Sequence, residues 1–469
     1  MARRYEEFEQ LVGELKRSVI DAWMAEQECY LINGEYVWNV GGGMSIHTTR
    51  PDAHGNGGGD VRISQPTGMG APIGPTKGPD LADIKAEQYR AGFMDARVSV
   101  DIAVAPWRNL PDPAAIQRDI DVCAAVVESL WLPANMAAGG VDKSGDGKIA
   151  GTMQGIVNSC GKLDGKMIQA FQDRFVFQLT RIVGKYQATG LVLGAALGSE
   201  LEIWKAGRDS VAMVLDEARQ NFDLLAKGPT VPWKATIEIG LKVSHGLEVF
   251  LPFAGPAGEV AATTLGTASD VFKIVKDILP ADESPLPFQT VNAGLESLGK
   301  RLNIVNDQLR WSEEKLSTSL NDTRLNIFSH QDLFDVKAPI LKPEPEDYQD
   351  GVNAITLNET VVRTLANTRM PALADLLQGV AAAAEQCKLT APRDERIGIG
   401  AIGPNPDWVP LKLLLALMLK DLVWDIRTGA EDLWAAFLDI KTHDDNTKRR
   451  LEQINARLEQ GNPGSIWNK

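Results

Sequence analysis

Apolar residues recur at alternating spacings of three and four along most of this chain. One such run extends from Tyr5 to Tyr30 and another from Leu433 to Leu458. These spacings place the side chains on one stripe of an α-helix, where packing against another helix buries them. The pattern therefore predicts a mainly α fold, an elongated bundle of long heptad-patterned helices.

The same spacing predicts helices in the interior of the chain. Asp112 followed by Pro113 is a helix start, because an aspartate caps the first amides and proline suits the first helical position. Gly190, Gly194 and Gly198 interrupt one pattern, so they predict either a close helix approach or a kink. The predicted helices after Asp112 cover residues 166–226, 295–327, 361–387, 408–426 and 430–460.

A small β appendage is predicted near the first helix. Residues 30–38 centre on Asn33-Gly34, the dipeptide that a type I′ hairpin turn favours. Residues 98–104 alternate between apolar and other side chains, so we expect a strand that completes a small sheet with the hairpin. The glycine- and proline-rich residues 41–79 predict a surface loop or a disordered segment.

These elements predict four units along the chain. They are an N-terminal helix with the β-hairpin and loop (1–111), a long-helix bundle (112–336), a proline-rich linker (337–351), and C-terminal helices that pack on the bundle (352–469).

Residues 241–279 form the least polar region, bent by Pro252 and Pro256. One interpretation is a helix pair that belongs to the bundle core. The other is a hydrophobic hairpin that inserts into a membrane, as in helical pore-forming toxins. Glu248 and Glu259 flank the segment, and the cost of placing charge at bilayer depth favours the core.

The composition of the chain argues against several functional classes of protein. A net charge of -14 and a pI near 5.0 argue against binding to nucleic acid or to anionic lipid. The four cysteines form no Cys-x-x-Cys pair, which excludes a zinc ribbon or a thioredoxin-like motif. No uncharged apolar stretch is long enough to span a bilayer, and the first residues lead directly into a helix, so we expect no cleaved secretory signal.

One segment carries metal-ligand chemistry. Asp142, Ser144 and Asp146 occupy positions 1, 3 and 5 of a calcium loop of the EF-hand or dockerin type, and Lys148 would contribute its carbonyl. Position 12 is Met153, so the bidentate carboxylate ligand is missing and the affinity for calcium would be lower. The segment is therefore either a calcium site, with calcium as the candidate cofactor, or a plain Asp/Gly turn.

No catalytic constellation is present. The five histidines are scattered, and no G-x-S-x-G nucleophile elbow occurs. The glycines at positions 398, 400 and 403 lack the Lys-Ser/Thr of a phosphate-binding P-loop, so we expect an ordinary loop there. The sequence predicts a protein that is not an enzyme.

Residues 170–218 open with Ala170-Phe171-Gln172-Asp173-Arg174-Phe175 and continue through Leu197 and Trp204. This segment resembles the long second helix of larger actinobacterial proteins of the WxG superfamily, the helical-hairpin substrates of type VII secretion. Residues 112–131 would be the first helix and 135–165 the connection. No Trp-x-Gly is present, and the one Tyr-x-x-x-Asp/Glu motif, Tyr5 to Glu9, opens the first helix. The resemblance implies a non-enzymatic, bundle-forming protein of a high-GC Gram-positive bacterium that lacks a cleaved signal and oligomerises.

The sequence thus predicts a structural or interaction protein that associates with protein partners, or with itself, through helix faces. We expect it to be secreted or associated with the cell envelope, and otherwise cytoplasmic. The alternative is a helical pore-forming toxin or effector that uses residues 241–279; membrane contact belongs to that alternative alone.

Overall fold

The fold is known from a computed structural model that describes residues 3–41, 44–64, 81–132, 147–163, 168, 171–227, 288–336 and 358–442. The described residues are mainly helical, with one small antiparallel sheet, as predicted. The α-helices are α1 (Phe8–Glu26), α2 (Leu81–Val104), α3 (Pro113–Ser129), α4 (Lys148–Cys160), α5 (Phe177–Leu225), α6 (Val291–Ser329), α7 (Glu359–Thr364), α8 (Met370–Gln386) and α9 (Asn405–Thr442). Two π-helical turns, Gln172–Val176 and Leu365–Arg369, precede α5 and join α7 to α8.

Helix α5 is the central element of the bundle. Its 49 residues extend over about 74 Å at 1.5 Å per residue. Every side chain from Tyr186 to Leu201 is buried, because α1, α3, α6 and α9 all pack around this helix. The helix is continuous through Gly190, where a Cβ would lie 3.1 Å from Val127 of α3. Of the two predicted outcomes for these glycines, Gly190 therefore permits a close helix approach.

The cap predicted at Asp112 is confirmed, since its side chain accepts a hydrogen bond from the amide of Ala114 at 3.0 Å. The predicted division between residues 426 and 430 is wrong, because α9 continues from Asn405 to Thr442. Gly429 lies at the supposed break, and a Cβ there would lie 3.1 Å from the Phe175 ring. Gly429 therefore leaves room for the Phe175 ring to pack against α9, and the helix continues through this residue. Residues 443–460 lie outside the described part.

The sheet has the order β1 (Tyr30–Ile32), β2 (Glu35–Gly41), β3 (Met44–Thr49) and β4 (Val61–Ser64), with all neighbours antiparallel. The predicted hairpin is confirmed: Asn33 and Gly34 have φ values of 50° and 83°. Strands β3 and β4 lie within residues 41–79, so the loop predicted there is wrong for these two segments.

The strand predicted at residues 98–104 is wrong, because these residues form the last turns of α2. Their alternation arises from two apolar faces on one helix. Val100 and Val104 are fully buried, whereas Val98 and Ile102 are exposed on the other side.

A polar contact fixes the sheet to α1. The Tyr36 hydroxyl donates to Oδ1 of Asp21 at 2.5 Å, and Nε of Arg50 donates to the same oxygen at 2.8 Å. One hydrophobic core cluster includes residues of the sheet and of the helices from α1 to α9. The predicted linker 337–351 and the apolar segment 241–279 lie outside the described residues.

Candidate functional site

Helix α2 is apolar on two opposite faces. Its inner face packs on α1 and the sheet: the Phe93 ring lies edge-on to Trp23 at 6.2 Å and to Tyr36 at 6.0 Å between centroids. Gly92 allows this packing, because a Cβ there would collide with the Trp23 ring. The inner face is thus a normal part of the core.

The opposite face of α2 carries a second apolar stripe. Met94 is 64% exposed and Ile102 is 69% exposed, and both belong to a set that lies within an arc of about 80° at 3.6 residues per turn. We call this set the α2 outer face; its members are Ile84, Ala91, Met94, Val98 and Ile102. Contiguous exposed apolar surface of this kind marks interaction sites in soluble proteins.

Acidic side chains border the α2 outer face. Asp83, Glu87 and Asp95 are exposed on the same helix, and none of them pairs with a cation in the part of the chain that the structure describes. Glu87 lies within the angular range of the apolar stripe, and Asp83 and Asp95 lie about 20° beyond its two edges. The surface therefore combines exposed hydrophobic side chains with uncompensated negative charge.

The basic residues of α2 are directed elsewhere. Nη2 of Arg90 pairs with Asp60 at 2.7 Å, and Nε of Arg97 donates to the Gly55 carbonyl at 2.6 Å. Nζ of Lys85 lies 4.7 Å from the centroid of the Trp38 ring. All three hold α2 against the sheet and its loop, so they leave the outer face acidic.

A second group of polar side chains is entirely buried. Arg393, in the connection between α8 and α9, donates to Glu313 of α6, and its Nη1 lies 3.9 Å from Oε2 of Glu200 on α5. None of the three side chains has exposed area. The guanidinium lies 4.7 Å from the centroid of the Trp204 ring, and Nε1 of Trp204 donates to Glu200 at 2.8 Å.

The glycines of the 398–403 loop complete this cluster. Gly398 and Gly403 adopt positive φ values of 62° and 55°, and a Cβ at either position would collide with Glu313 or Arg393. The amide of Ile399 donates to Oε2 of Glu313 at 2.9 Å. The segment is a loop, as predicted, and it encloses an ion pair rather than a phosphate.

Burial raises the pKa of Glu200 and that of Glu313, the latter to about 8, with the charge of Glu200 as a second cause. One guanidinium faces two carboxylates, so the cluster is electrically neutral when one glutamate retains its proton. No side chain of the cluster reaches the surface. We conclude that the cluster has a structural role and connects α5, α6 and the α8–α9 connection.

Three aspartates form the metal-type cluster of the described residues. Carboxylate oxygens of Asp335, Asp421 and Asp425 lie within 4.8 Å of one another, which is compatible with a cation. Burial raises the pKa of the adjacent Tyr186, and the three carboxylates raise it further. Each aspartate already has an interaction partner, so the cluster does not by itself indicate a metal. No sequence pattern predicted this set, and its one local signal is the i,i+4 spacing of Asp421 and Asp425 on α9.

The predicted calcium ligands Asp142, Ser144 and Asp146 lie outside the described residues. Lys148 is the first residue of α4, and its carbonyl accepts a hydrogen bond from the Thr152 hydroxyl at 2.7 Å. The calcium site stays a prediction. The pore-forming alternative also stays one, because it depends on residues 241–279.

No family model, no curated protein and no solved structure matches this chain. The resemblance to the WxG superfamily and the predicted export therefore stay predictions. Among the described helices, none combines the length and the apolar character that crossing a bilayer requires.

Proposed function

We propose that this protein is a non-enzymatic helical interaction protein that binds a partner helix on the α2 outer face. The observation that carries the proposal is the exposure of Met94, Val98 and Ile102 on the side of α2 opposite its core contacts. Burying one such side chain in a complex contributes about 1.5–3 kcal/mol. Together with Ile84, these side chains provide enough apolar surface for a helix to pack along α2.

The partner we propose is a basic amphipathic helix of another protein. Its apolar face would cover the stripe, and lysine or arginine side chains would approach Asp83, Glu87 and Asp95. A second copy of the same face would bring like charges together, which disfavours symmetric pairing there. Of the two predicted modes, binding to another protein is thus favoured over self-assembly through this face.

The buried cluster supports a non-enzymatic role. Glu200, Glu313 and Arg393 form a cluster of charged groups inside the bundle, and their side chains have no exposed area. A general acid or base must reach the proton that it transfers, so these groups are unsuited to catalysis.

Secretion or envelope association is the second part of the proposal. Its support is the sequence resemblance alone, and fractionation of an actinobacterial host that expresses the full chain tests it. Recovery from the culture supernatant or envelope would support export, and recovery from the cytosol alone would refute it.

A designed peptide tests the docking proposal directly. The probe is a synthetic amphipathic helix with leucines on one face and lysines beside them, and its matched counterpart carries glutamates in place of the lysines. We expect the full-length protein to bind the lysine peptide, with affinity that falls as salt rises. Fluorescence anisotropy measures both peptides under identical conditions.

Variants locate the binding site. Met94→Ser and Ile102→Ser should each weaken binding of the lysine peptide by about tenfold, since each loses apolar contact worth at least about 1.4 kcal/mol and leaves the charge of the face unchanged. Leu413→Ser on α9 is the control, because Leu413 is also an exposed apolar residue and loses a similar apolar side chain. Equal losses in all three variants, or equal binding of the two peptides, would refute the proposal. Dimers in light scattering that Met94→Ser abolishes would show that a second copy is the occupant instead.

A further inference from the structure

A cleft of about 450 Å³ lies between α4 and the π-helical turn that joins α7 to α8. We call it the α4 cleft. Its polar lining comes from Lys148 and Thr152 on one side and from Thr364, Thr368 and Arg369 on the other. In a chain of net charge -14, this site has two cations and no acidic side chain among the described residues that line it.

Arg369 is the central group of the α4 cleft. Its Nε–H is buried and has no hydrogen-bond partner within the described residues. Neither Arg369 nor Lys148 forms an ion pair with a carboxylate of residues 147–163, 358–442 or the other described segments. Buried donors are normally satisfied, so an unsatisfied one is available to a bound water or ion. A guanidinium in this state matches an oxyanion, which accepts two parallel hydrogen bonds from it.

The backbone is adapted to place this arginine. Arg369 is the last residue of the π-helical turn, a local insertion that is frequent at functional sites. Its Nη1 lies against Gly155 of α4, where any Cβ would collide with it. A glycine on one helix and a π-turn on the other therefore bring the guanidinium to the α4 surface.

Helix α4 contributes a side chain rather than backbone donors to the cleft. The amide of Gly151 donates to the Gly147 carbonyl at 2.8 Å, and Ile149 and Ala150 are buried in the core. The ammonium of Lys148, the first helical residue, is therefore the donor that α4 supplies.

We infer that the α4 cleft binds a phosphate group, held by the guanidinium of Arg369 and the ammonium of Lys148. A phosphate carries up to two negative charges and presents several acceptor oxygens, which matches two cations. The cleft leaves room for a substituent on the phosphate, so the ligand class that we propose is a phosphate monoester. The inference does not depend on the α2 outer face.

Calorimetry and thermal unfolding of the full-length protein test the site with inorganic phosphate and glycerol phosphate as probes. Sodium chloride at matched ionic strength is the reference. We expect both phosphates to bind and to raise Tm relative to chloride. Arg369→Gln and Lys148→Gln should each weaken binding by about tenfold or more, because each removes a charge-assisted contact.

Control variants separate the cleft from general charge effects. Arg363→Gln removes an arginine that pairs with Glu359, and Lys162→Gln removes an exposed lysine beyond α4. Both should bind phosphate as the wild type does. Gly155→Ala retains every charge and displaces Arg369, so it should weaken binding, whereas Gly184→Ala, which adds its methyl in open space, should not.

An experiment with lipid vesicles identifies the source of the phosphate group. Vesicles of phosphatidylcholine with and without phosphatidic acid are sedimented with the wild type and with Arg369→Gln. Binding to phosphatidic acid that Arg369→Gln abolishes would support the site with a lipid headgroup as its ligand. Absence of binding to all phosphate probes, or equal binding by wild type and Arg369→Gln, would overturn the inference.

Discussion

Arg393 donates a hydrogen bond to Glu313, and this pair links two segments that lie 80 residues apart in the chain. Both side chains are completely buried, and Glu200 of α5 lies on the other side of the guanidinium. The contact therefore joins the α8–α9 connection to the two longest helices that meet beneath it. Because both charges are removed from water, the loss of either partner leaves the other buried without its counter-charge and should lower the stability of the protein.

Removing the guanidinium should destabilise the protein strongly. Arg393→Met leaves Glu200 and Glu313 buried without their cation, and breaking a buried pair in this way typically costs about 3–5 kcal/mol. Chemical denaturation at neutral pH measures this loss in the free energy of unfolding. Arg396→Met is the matched control, because Arg396 is exposed and pairs with Asp394 at the surface. A similar loss in both variants would show that the buried cluster has no special role.

The pKa of Glu313 predicts how stability depends on pH. Burial, and then the charge of Glu200, raise this pKa from its ordinary value of 4.5 to about 8. Between these values the folded state binds more protons than the unfolded state. The contribution of Glu313 to the free energy of unfolding is therefore fully present below pH 4.5 and is lost as the pH rises to 8.

Glu313→Gln isolates that contribution, since glutamine has the same shape and does not titrate. We expect the free energy of unfolding of the wild type to fall more steeply between pH 4.5 and pH 8 than that of the variant. Urea titrations at several pH values measure both slopes. Parallel curves would mean that Glu313 keeps an ordinary pKa in the folded protein.

The heptad pattern predicted the long helices well, because their burial follows from local spacing. Asn33-Gly34 likewise predicted its turn, since positive φ is a local requirement. Helix α2 was missed because Val98, Val100 and Ile102 serve two opposite faces, and two faces of one helix mimic the alternation of a strand. The exposed stripe was thus visible in the sequence but was assigned to the wrong element.

The polar clusters could not be predicted from spacing. Glu200, Glu313 and Arg393 come from three segments that only the tertiary fold brings together. Gly429 shows the same limit, because its effect depends on the Phe175 ring from a distant helix. Arg369 gave no local signal either, since the π-turn that directs it is a property of the packed helix.

Two helical glycines should respond in opposite ways to the same substitution. Gly92→Ala places a methyl against the Trp23 ring in the α1–α2 contact, and overpacking of this kind costs about 1–3 kcal/mol. Gly379→Ala on α8 adds its methyl in open space and should stabilise the protein by about 0.5–1 kcal/mol. Shifts in Tm of the two variants test both signs. A gain for Gly92→Ala would mean that α2 moves away from Trp23 without cost.

The four free cysteines should differ in reactivity although all are buried. A hydrogen bond with the Cys123 thiol lowers the pKa of Cys387, and the charge of Lys412 lowers it further. Burial raises the pKa of Cys160 to about 12. Because the thiolate is the nucleophile, iodoacetamide should modify Cys387 at least about tenfold faster than Cys160, as timed peptide mass spectrometry would show. Lys412→Gln should slow the reaction of Cys387 alone, and faster modification of Cys160 would contradict this order.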